Sequence, residues 1–131
     1  MNAKIELKSI IDGEELISSN NGSVAFQGDV TLLAYKEVVD DNEIETSIEI
    51  SDAGVKVEKR GIISSSMNFI LGKETDMLYS TPFGDMMMKA MTDNLTFEIT
   101  DDFCMAEISY KLYNNSALIS SHDLKIRAEF L

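Results

Sequence analysis

Residues 77–91 read Met-Leu-Tyr-Ser-Thr-Pro-Phe-Gly-Asp-Met-Met-Met-Lys-Ala-Met, and this stretch decides the fold. It holds the single proline of the chain, Pro82, and a nearby glycine, Gly84, between two runs of large side chains. Proline restricts the preceding residue to extended geometry, and glycine adopts backbone angles that are closed to other residues. The pattern therefore predicts two strands, residues 77–81 and 85–92, joined by a tight turn.

Short segments of alternating apolar and polar residues recur along the rest of the chain. The clearest has Ile44, Thr46, Ile48 and Ile50 on one face. No segment carries a helical stripe with a period of about 3.6 residues. Period-two alternation between short polar or glycine turns is typical of antiparallel strands. The predicted strands cover residues 4–11, 23–27, 29–39, 44–50, 55–60, 64–71, 95–100, 104–113, 117–121 and 123–130, in addition to the two above.

The expected architecture is all-β: a closed or nearly closed antiparallel meander barrel of about 8–10 strands. Closure removes the exposed edges that an open sheet would leave, and the short turns favour a barrel over a sandwich. A barrel of about eight strands holds packed side chains or one small ligand. Residues 14–22 are expected to form a mobile loop, and residues 92–94 a turn. Hydrophobicity does not assign the inner face of residues 29–39.

Composition limits the class of protein. A chain of 131 residues forms a single domain, residues 1–131, with one core. Its 23 acidic and 11 basic side chains give a net charge of −12, which repels nucleic-acid phosphates and anionic lipids, so neither nucleic acid nor membrane is an expected partner. One cysteine, Cys104, excludes an internal disulfide. With no apolar leader-like run, the expected location is the cytoplasm.

Several motifs, in order along the chain, resemble those of the YwiB-like family of small bacterial proteins, a domain of unknown function. The motifs are Leu33-Ala34-Tyr35-Lys36-Glu37, Thr46, Lys59-Arg60-Gly61, Tyr79-Ser80-Thr81-Pro82-Phe83-Gly84 and Tyr110-Lys111-Leu112. The resemblance covers nearly the whole chain and implies a calycin-like, lipocalin-type barrel in a bacterial cytoplasm. It offers no established activity. Calycin-like barrels in general hold small apolar or amphipathic molecules, an analogy at the level of fold alone.

The candidate ligand-binding residues are those that the alternation and the resemblance direct into the lumen: Tyr35, Glu37, Thr46, Arg60, Tyr79, Thr81, Met86, Met88 and Tyr110. Phenols, hydroxyls and one carboxylate would orient the polar end of a ligand, and methionines would hold the rest. The resemblance names Arg60 as the partner of Glu37, which requires a bulge near Gly61. The alternative is a structural ion pair with hydroxyls bonded to the backbone.

Three functions remain open. The first is a non-enzymatic binding barrel for a small apolar or amphipathic ligand. The second is an interaction module with a packed core that forms a homodimer through its methionine or edge strands, and the third is an acid–base enzyme that uses Glu37 and tyrosines. No cofactor and no metal site is expected, because paired cysteines and ligand spacings are missing. The single histidine, His122, is expected to be exposed, with haem ligation as the alternative. Cys104 is expected to be a buried hydrophobe.

Overall fold

A computed structural model describes all residues, Met1–Leu131, and contains ten strands and no helix. The strands are β1 (Asn2–Ile11), β2 (Glu14–Gln27), β3 (Val30–Val39), β4 (Asn42–Ser51), β5 (Gly54–Arg60), β6 (Ser64–Phe69), β7 (Glu74–Thr81), β8 (Gly84–Ile99), β9 (Phe103–Asn114) and β10 (Ala117–Phe130). With no helices, none is present that is long and apolar enough to cross a membrane.

Every strand pairs antiparallel with its neighbours in sequence, and β1 pairs with β10, so the barrel is closed. The predicted closed antiparallel meander is therefore confirmed. The deciding stretch forms β7 and β8, and Thr81 pairs with Gly84 around a two-residue turn of Pro82 and Phe83. Gly84 has a φ of 134°, a conformation that favours glycine.

Strand direction defines two ends of the barrel. The turns of the β1–β2, β3–β4, β5–β6, β7–β8 and β9–β10 hairpins lie at one end, called here the open end. Three of them, Asp12-Gly13, Asp40-Asp41 and Asn115-Ser116, have positive φ at both residues, which suits the twist of a two-residue hairpin. The other four turns and both chain termini lie at the opposite, closed end.

The apolar core fills the half of the barrel nearest the closed end. The side chains of Ile50, Val55, Phe69, Cys104 and Ala128 are fully buried there. Phe26 and Phe130 pack edge to face beside them, with ring centroids 5.6 Å apart. The inner face of β3, which hydrophobicity left open, carries Thr31, Leu33, Tyr35 and Glu37. In the closed half the lumen is therefore a packed core.

The wall is split at the open end, and toward the closed end β6 and β7 also separate beyond Ser66 and Leu78. The pairing of β2 with β3 ends at Gly22 and Tyr35, and the pairing of β8 with β9 ends at Lys89 and Tyr113. Beyond these two forks, β3–β8 form one sheet, the front sheet, and β9, β10, β1 and β2 form another, the back sheet. At the open end the two sheets are consequently not hydrogen-bonded to each other, and we call the space between their inner faces the cleft.

Three expectations about local structure were wrong. Residues 117–121 and 123–130, expected as two strands, form the single strand β10, with a register shift between Leu118 and Ser120. Residues 14–22 belong to strand β2, whose first half pairs with β1, rather than to a mobile loop. This half faces the cleft, so it needs no apolar inner face, and its polar composition resembles that of a loop. Residues 92–94 form an irregularity within β8 rather than a turn, because the register shifts between Thr92 and Asn94 while the strand continues.

Candidate functional site

The register aligns a row of inward-facing side chains across the whole front sheet. The row has one residue from each of β3–β8, and each residue is directly opposite the next one on the neighbouring strand. In strand order these residues are Tyr35, Thr46, Lys59, Ser65, Tyr79 and Met86. Four of these six residues belong to the candidate set that the sequence predicted. We call the six the cross-strand row. Its residues lie above the apolar core, on the front wall of the cleft.

Thr46 is the most unusual member of the cross-strand row. It is only 2% exposed, and its Oγ1 makes no hydrogen bond of good geometry. Asn20, on β2 beyond the fork, likewise has a buried Nδ2 with no partner. A buried polar atom without a partner costs about 1–3 kcal/mol. Since β3 lies between these two strands, unsatisfied atoms lie on both sides of Tyr35.

The electrostatics of the row centre on Tyr35, Glu37 and Lys59. Burial raises the pKa of the Tyr35 phenol, the adjacent Thr46 hydroxyl opposes this rise, and the charge of Glu37 adds to it. Tyr35 is therefore a neutral hydrogen-bonding group at physiological pH. Lys59 Nζ lies 3.9 Å from Glu37 Oε1, which gives the inner wall one ion pair that solvent reaches.

Arg60 does not occupy the lumen. It is exposed on the outer face opposite Glu45, and no bulge forms near Gly61, because the β4–β5 register continues without a shift. The expected partnership with Glu37 was therefore wrong, and Lys59, which alternation places inside with Val55 and Val57, takes that position. Arg60 forms no ion pair of its own, whereas Lys36 contacts both Glu43 and Glu45.

A groove of about 410 Å³ lies at the β2–β3 fork, and Arg60 is one of the residues that line it. Its ten lining residues include Asn21, Gly22, Tyr35, Thr46 and Arg60. Gly22 permits the close approach of the strands here, since an added Cβ would lie 2.2 Å from the Ala34 carbonyl oxygen. Thr46 and Tyr35 therefore belong both to the cross-strand row and to a polar groove that opens on the outer wall.

The remaining candidate residues are dispersed. Thr81 is committed to the β7–β8 turn, where its Oγ1 accepts the Phe83 N–H and donates to the Gly84 carbonyl, each at 3.1 Å. Met88 packs against the core. Tyr110 is buried on the back sheet, 4.5 Å from Phe69 between ring centroids. The structure therefore groups Tyr35, Thr46, Tyr79 and Met86, with Glu37 beside them, and separates Tyr110, Thr81 and Arg60 from that row.

His122 is half-buried on the inner face of β10, so the expected exposure was wrong. Its ring stacks on Tyr110 with a centroid distance of 4.7 Å, and its Nε2 lies 2.6 Å from Ser120 Oγ. Burial lowers the pKa of His122, against the opposing charges of Asp12 and Asp123. The polar residues on either side of His122 have the composition of a turn, so the sequence did not indicate that the side chain points inward.

Neither the cysteine nor any carboxylate cluster adds a catalytic arrangement. Cys104 is a buried free thiol, and burial raises its pKa, with a smaller opposing effect of the Ala128 backbone. No group of three or more histidine, cysteine, aspartate and glutamate side chains is arranged to hold a metal ion. What this arrangement offers chemically is therefore hydrogen bonding and charge within a cleft and its groove.

Comparison with known proteins identifies the family. The family described as Domain of unknown function (DUF1934) matches residues 5–126. The chain belongs to this family. An uncharacterised β-barrel protein, YwiB of Bacillus subtilis (strain 168), is 22% identical over 129 residues, which cover 95% of this chain and 91% of that protein. The family resemblance predicted from the sequence motifs is confirmed.

A solved structure has the same fold. The crystal structure of the ywiB protein from Bacillus subtilis superposes with a TM-score of 0.86 at 22% identity, covering 98% of this chain and 90% of that one. At that identity the likeness establishes the β-barrel.

Proposed function

We propose that this protein binds, without catalysis, a small amphipathic molecule at its open end, with the polar group at the β2–β3 fork and the apolar part in the cleft. The single observation that carries the proposal is the buried Thr46 Oγ1, which borders both regions and makes no hydrogen bond of good geometry, only a looser contact with the Tyr35 phenol. A ligand that supplies the missing hydrogen bond would offset the cost of burying this hydroxyl.

The chemistry of the two regions supports an amphipathic ligand. The fork groove is lined mainly by polar residues. Its one carboxylate, Glu45, is paired with Lys36, and Arg60 has no ion-pair partner, so the groove suits a carboxylate or another acceptor-rich group. The inner face of the front sheet offers apolar contact from Met86, which is 48% exposed, and from the half-buried Tyr79 ring. Thioethers adapt to ligands of varied shape. A groove of about 410 Å³ also falls within the usual size range for small-molecule sites.

Native mass spectrometry of freshly purified protein will report a retained ligand together with the subunit count. A direct test uses cis-parinaric acid, an amphipathic carboxylate whose emission rises in apolar surroundings. Thr46→Val and Arg60→Gln are each expected to weaken its binding by about tenfold, which corresponds to roughly one hydrogen bond or ion pair.

Two control variants test whether the loss of probe binding is specific to the open end. Thr92→Val removes an equally buried hydroxyl without a partner, but the Thr92 backbone is bonded to Gly72 and Lys73 near the closed end. Lys73→Gln removes an exposed cation at the same end. Both are expected to bind the probe as the wild type does. The proposal fails if the probe does not bind, or if all four variants weaken binding equally.

A further inference from the structure

The open end carries most of the exposed large apolar side chains. We define the rim as residues 12–17, 38–43, 60–63, 82–87 and 115–119, the five hairpin tips of that end. Eleven of the eighteen exposed large apolar side chains lie in the rim, with some on every tip: Leu16, Ile17, Val38, Val39, Ile62, Ile63, Phe83, Met86, Met87, Leu118 and Ile119. Exposed apolar surface gathered in this way marks an interaction site.

The rim is also strongly acidic. It contains seven exposed carboxylates, with Arg60 as its one cation: Asp12, Glu14, Glu15, Asp40, Asp41, Glu43 and Asp85. Apolar contacts ringed by carboxylates select a partner that is both apolar and positively charged. A second copy would bring the same carboxylates together, and an anionic lipid surface would be repelled.

Phe83 is the most exposed of these residues and is held in a rigid turn. Its side chain is fully exposed at the tip of the β7–β8 hairpin. Pro82 fixes the preceding backbone angle, and Thr81 Oγ1 accepts the Phe83 N–H at 3.1 Å. An aromatic ring presented on an ordered turn loses little entropy when a partner covers it, which is typical of the anchors of protein interfaces.

The cleft between the two sheets gives the shape of the partner. Its two forks, at β2–β3 and β8–β9, are separated by six strands on one side and four on the other, so they lie on opposite sides of the barrel. The wall is consequently interrupted on two opposite sides of the open end, and we call the line that joins the two interruptions the trough. A rod-shaped element that makes its own backbone hydrogen bonds, such as an α-helix, can lie along this line.

We propose that the rim docks a cationic amphipathic helix of a partner protein, which lies along the trough with its apolar stripe on the tips and its basic residues beside the carboxylates. The methionines of the rim, Met86 and Met87, can repack around different apolar stripes. This mode of recognition is the insertion of a helix into an apolar groove. It rests on the hairpin tips rather than on Thr46, and it shares Met86 and Arg60 with the small-molecule site.

The test uses a synthetic helical peptide of leucine and lysine with one leucine stripe, labelled for fluorescence anisotropy. The double variant Phe83→Ser, Met87→Gln is expected to weaken its binding by at least about tenfold. Its control, Leu71→Ser, removes an exposed apolar side chain from the closed end and should leave binding unchanged. Cis-parinaric acid binding should survive the double variant, so failure of one proposal is distinguishable from failure of the other.

Two double variants test whether peptide binding depends on the rim carboxylates. Asp40→Asn, Asp41→Asn removes two rim carboxylates, and asparagine tolerates the left-handed φ of 51° and 64° at these positions. This variant should bind the lysine peptide more weakly and with a shallower salt dependence, whereas Asp101→Asn, Asp102→Asn at the closed end should not.

Three results would overturn the proposal. The first is no binding of the lysine peptide, and the second is equal weakening by the rim and closed-end variants. The third is a protein that sediments as a dimer and becomes monomeric on Phe83→Ser, which would make a second copy the occupant of the rim.

Discussion

Lys59 Nζ lies 3.9 Å from Glu37 Oε1, with strand β4 between the two residues, and both side chains point into the cleft. The side chains of Lys59 and Glu37 are 40% and 22% exposed, so water screens much of their attraction. In a double-mutant cycle of Glu37→Gln and Lys59→Met, we expect a coupling of about 0.5 kcal/mol in the free energy of unfolding. The same cycle with Arg60→Gln should give no coupling. A larger coupling with Arg60 would contradict the inner-wall geometry.

The hydroxyl of Thr46 should destabilise the ligand-free protein. Valine keeps the shape of threonine and removes the buried Oγ1, which makes no hydrogen bond of good geometry. We therefore expect Thr46→Val to raise the free energy of unfolding by about 1 kcal/mol, measured by urea denaturation. Thr92→Val should do the same, since its Oγ1 is also buried without a partner. A loss of stability on Thr46→Val would mean that this hydroxyl is hydrogen-bonded in solution.

Gly22 sets the position of the β2–β3 fork. An added Cβ would lie 2.2 Å from the Ala34 carbonyl oxygen and 2.9 Å from the Tyr35 Cβ, so the two strands would have to separate. Gly22→Ala should cost about 3 kcal/mol of stability. An added Cβ at Gly28 meets no atom within 4 Å, so Gly28→Ala should cost only about 1 kcal/mol of stability, because of the φ of 60°. Equal costs in chemical denaturation would show that the fork is not tightly packed.

The sequence predicts the barrel well because strand alternation and turn chemistry are local. Ile44, Thr46, Ile48 and Ile50 alternate so strictly that their strand and its inner face follow directly from the sequence. The first half of β2 was missed for a physical reason. An inner wall that lines a cleft needs no apolar residues, so the serines and asparagines around Asn20 have the composition of a loop.

The candidate site was predictable only where it depended on the face of a strand. Thr46 was predicted because alternation assigns it to the isoleucine face of its strand, whereas the face of Tyr35 stayed open in the sequence. The register then brought both into one row with Tyr79. The pairing of Glu37 with Lys59 depends on the relative stagger of three strands, which no local pattern encodes. The same holds for the stacking of His122 on Tyr110, since these residues belong to different strands.

Tyr110 should limit stability at alkaline pH. Burial raises the pKa of its phenol to about 12, whereas a phenol in the unfolded chain ionises near pH 10. As the pH rises above about 10, the unfolded state loses the proton first, so folding stability falls by about 1.3 kcal/mol between pH 9 and pH 11. Tyr110→Phe should remove this part of the loss in denaturation measured at the two pH values. Tyr113→Phe, on the outer face of the same strand, is the control, and equal behaviour of the two variants would refute the assignment.

His122 should make the protein less stable in mild acid. Because burial lowers the pKa of this imidazole in the fold, the unfolded chain takes up the proton more readily. Stability that is fully present above about pH 6.5 is therefore lost as the pH falls through the folded pKa, while the charges of Asp12 and Asp123 reduce the size of the loss. In urea denaturation between about pH 7.5 and pH 5.5, His122→Gln should give a flatter pH dependence than the wild type. An unchanged slope would mean that the ring titrates as freely in the fold as in the unfolded chain, which its stacking on Tyr110 and its contact with Ser120 argue against.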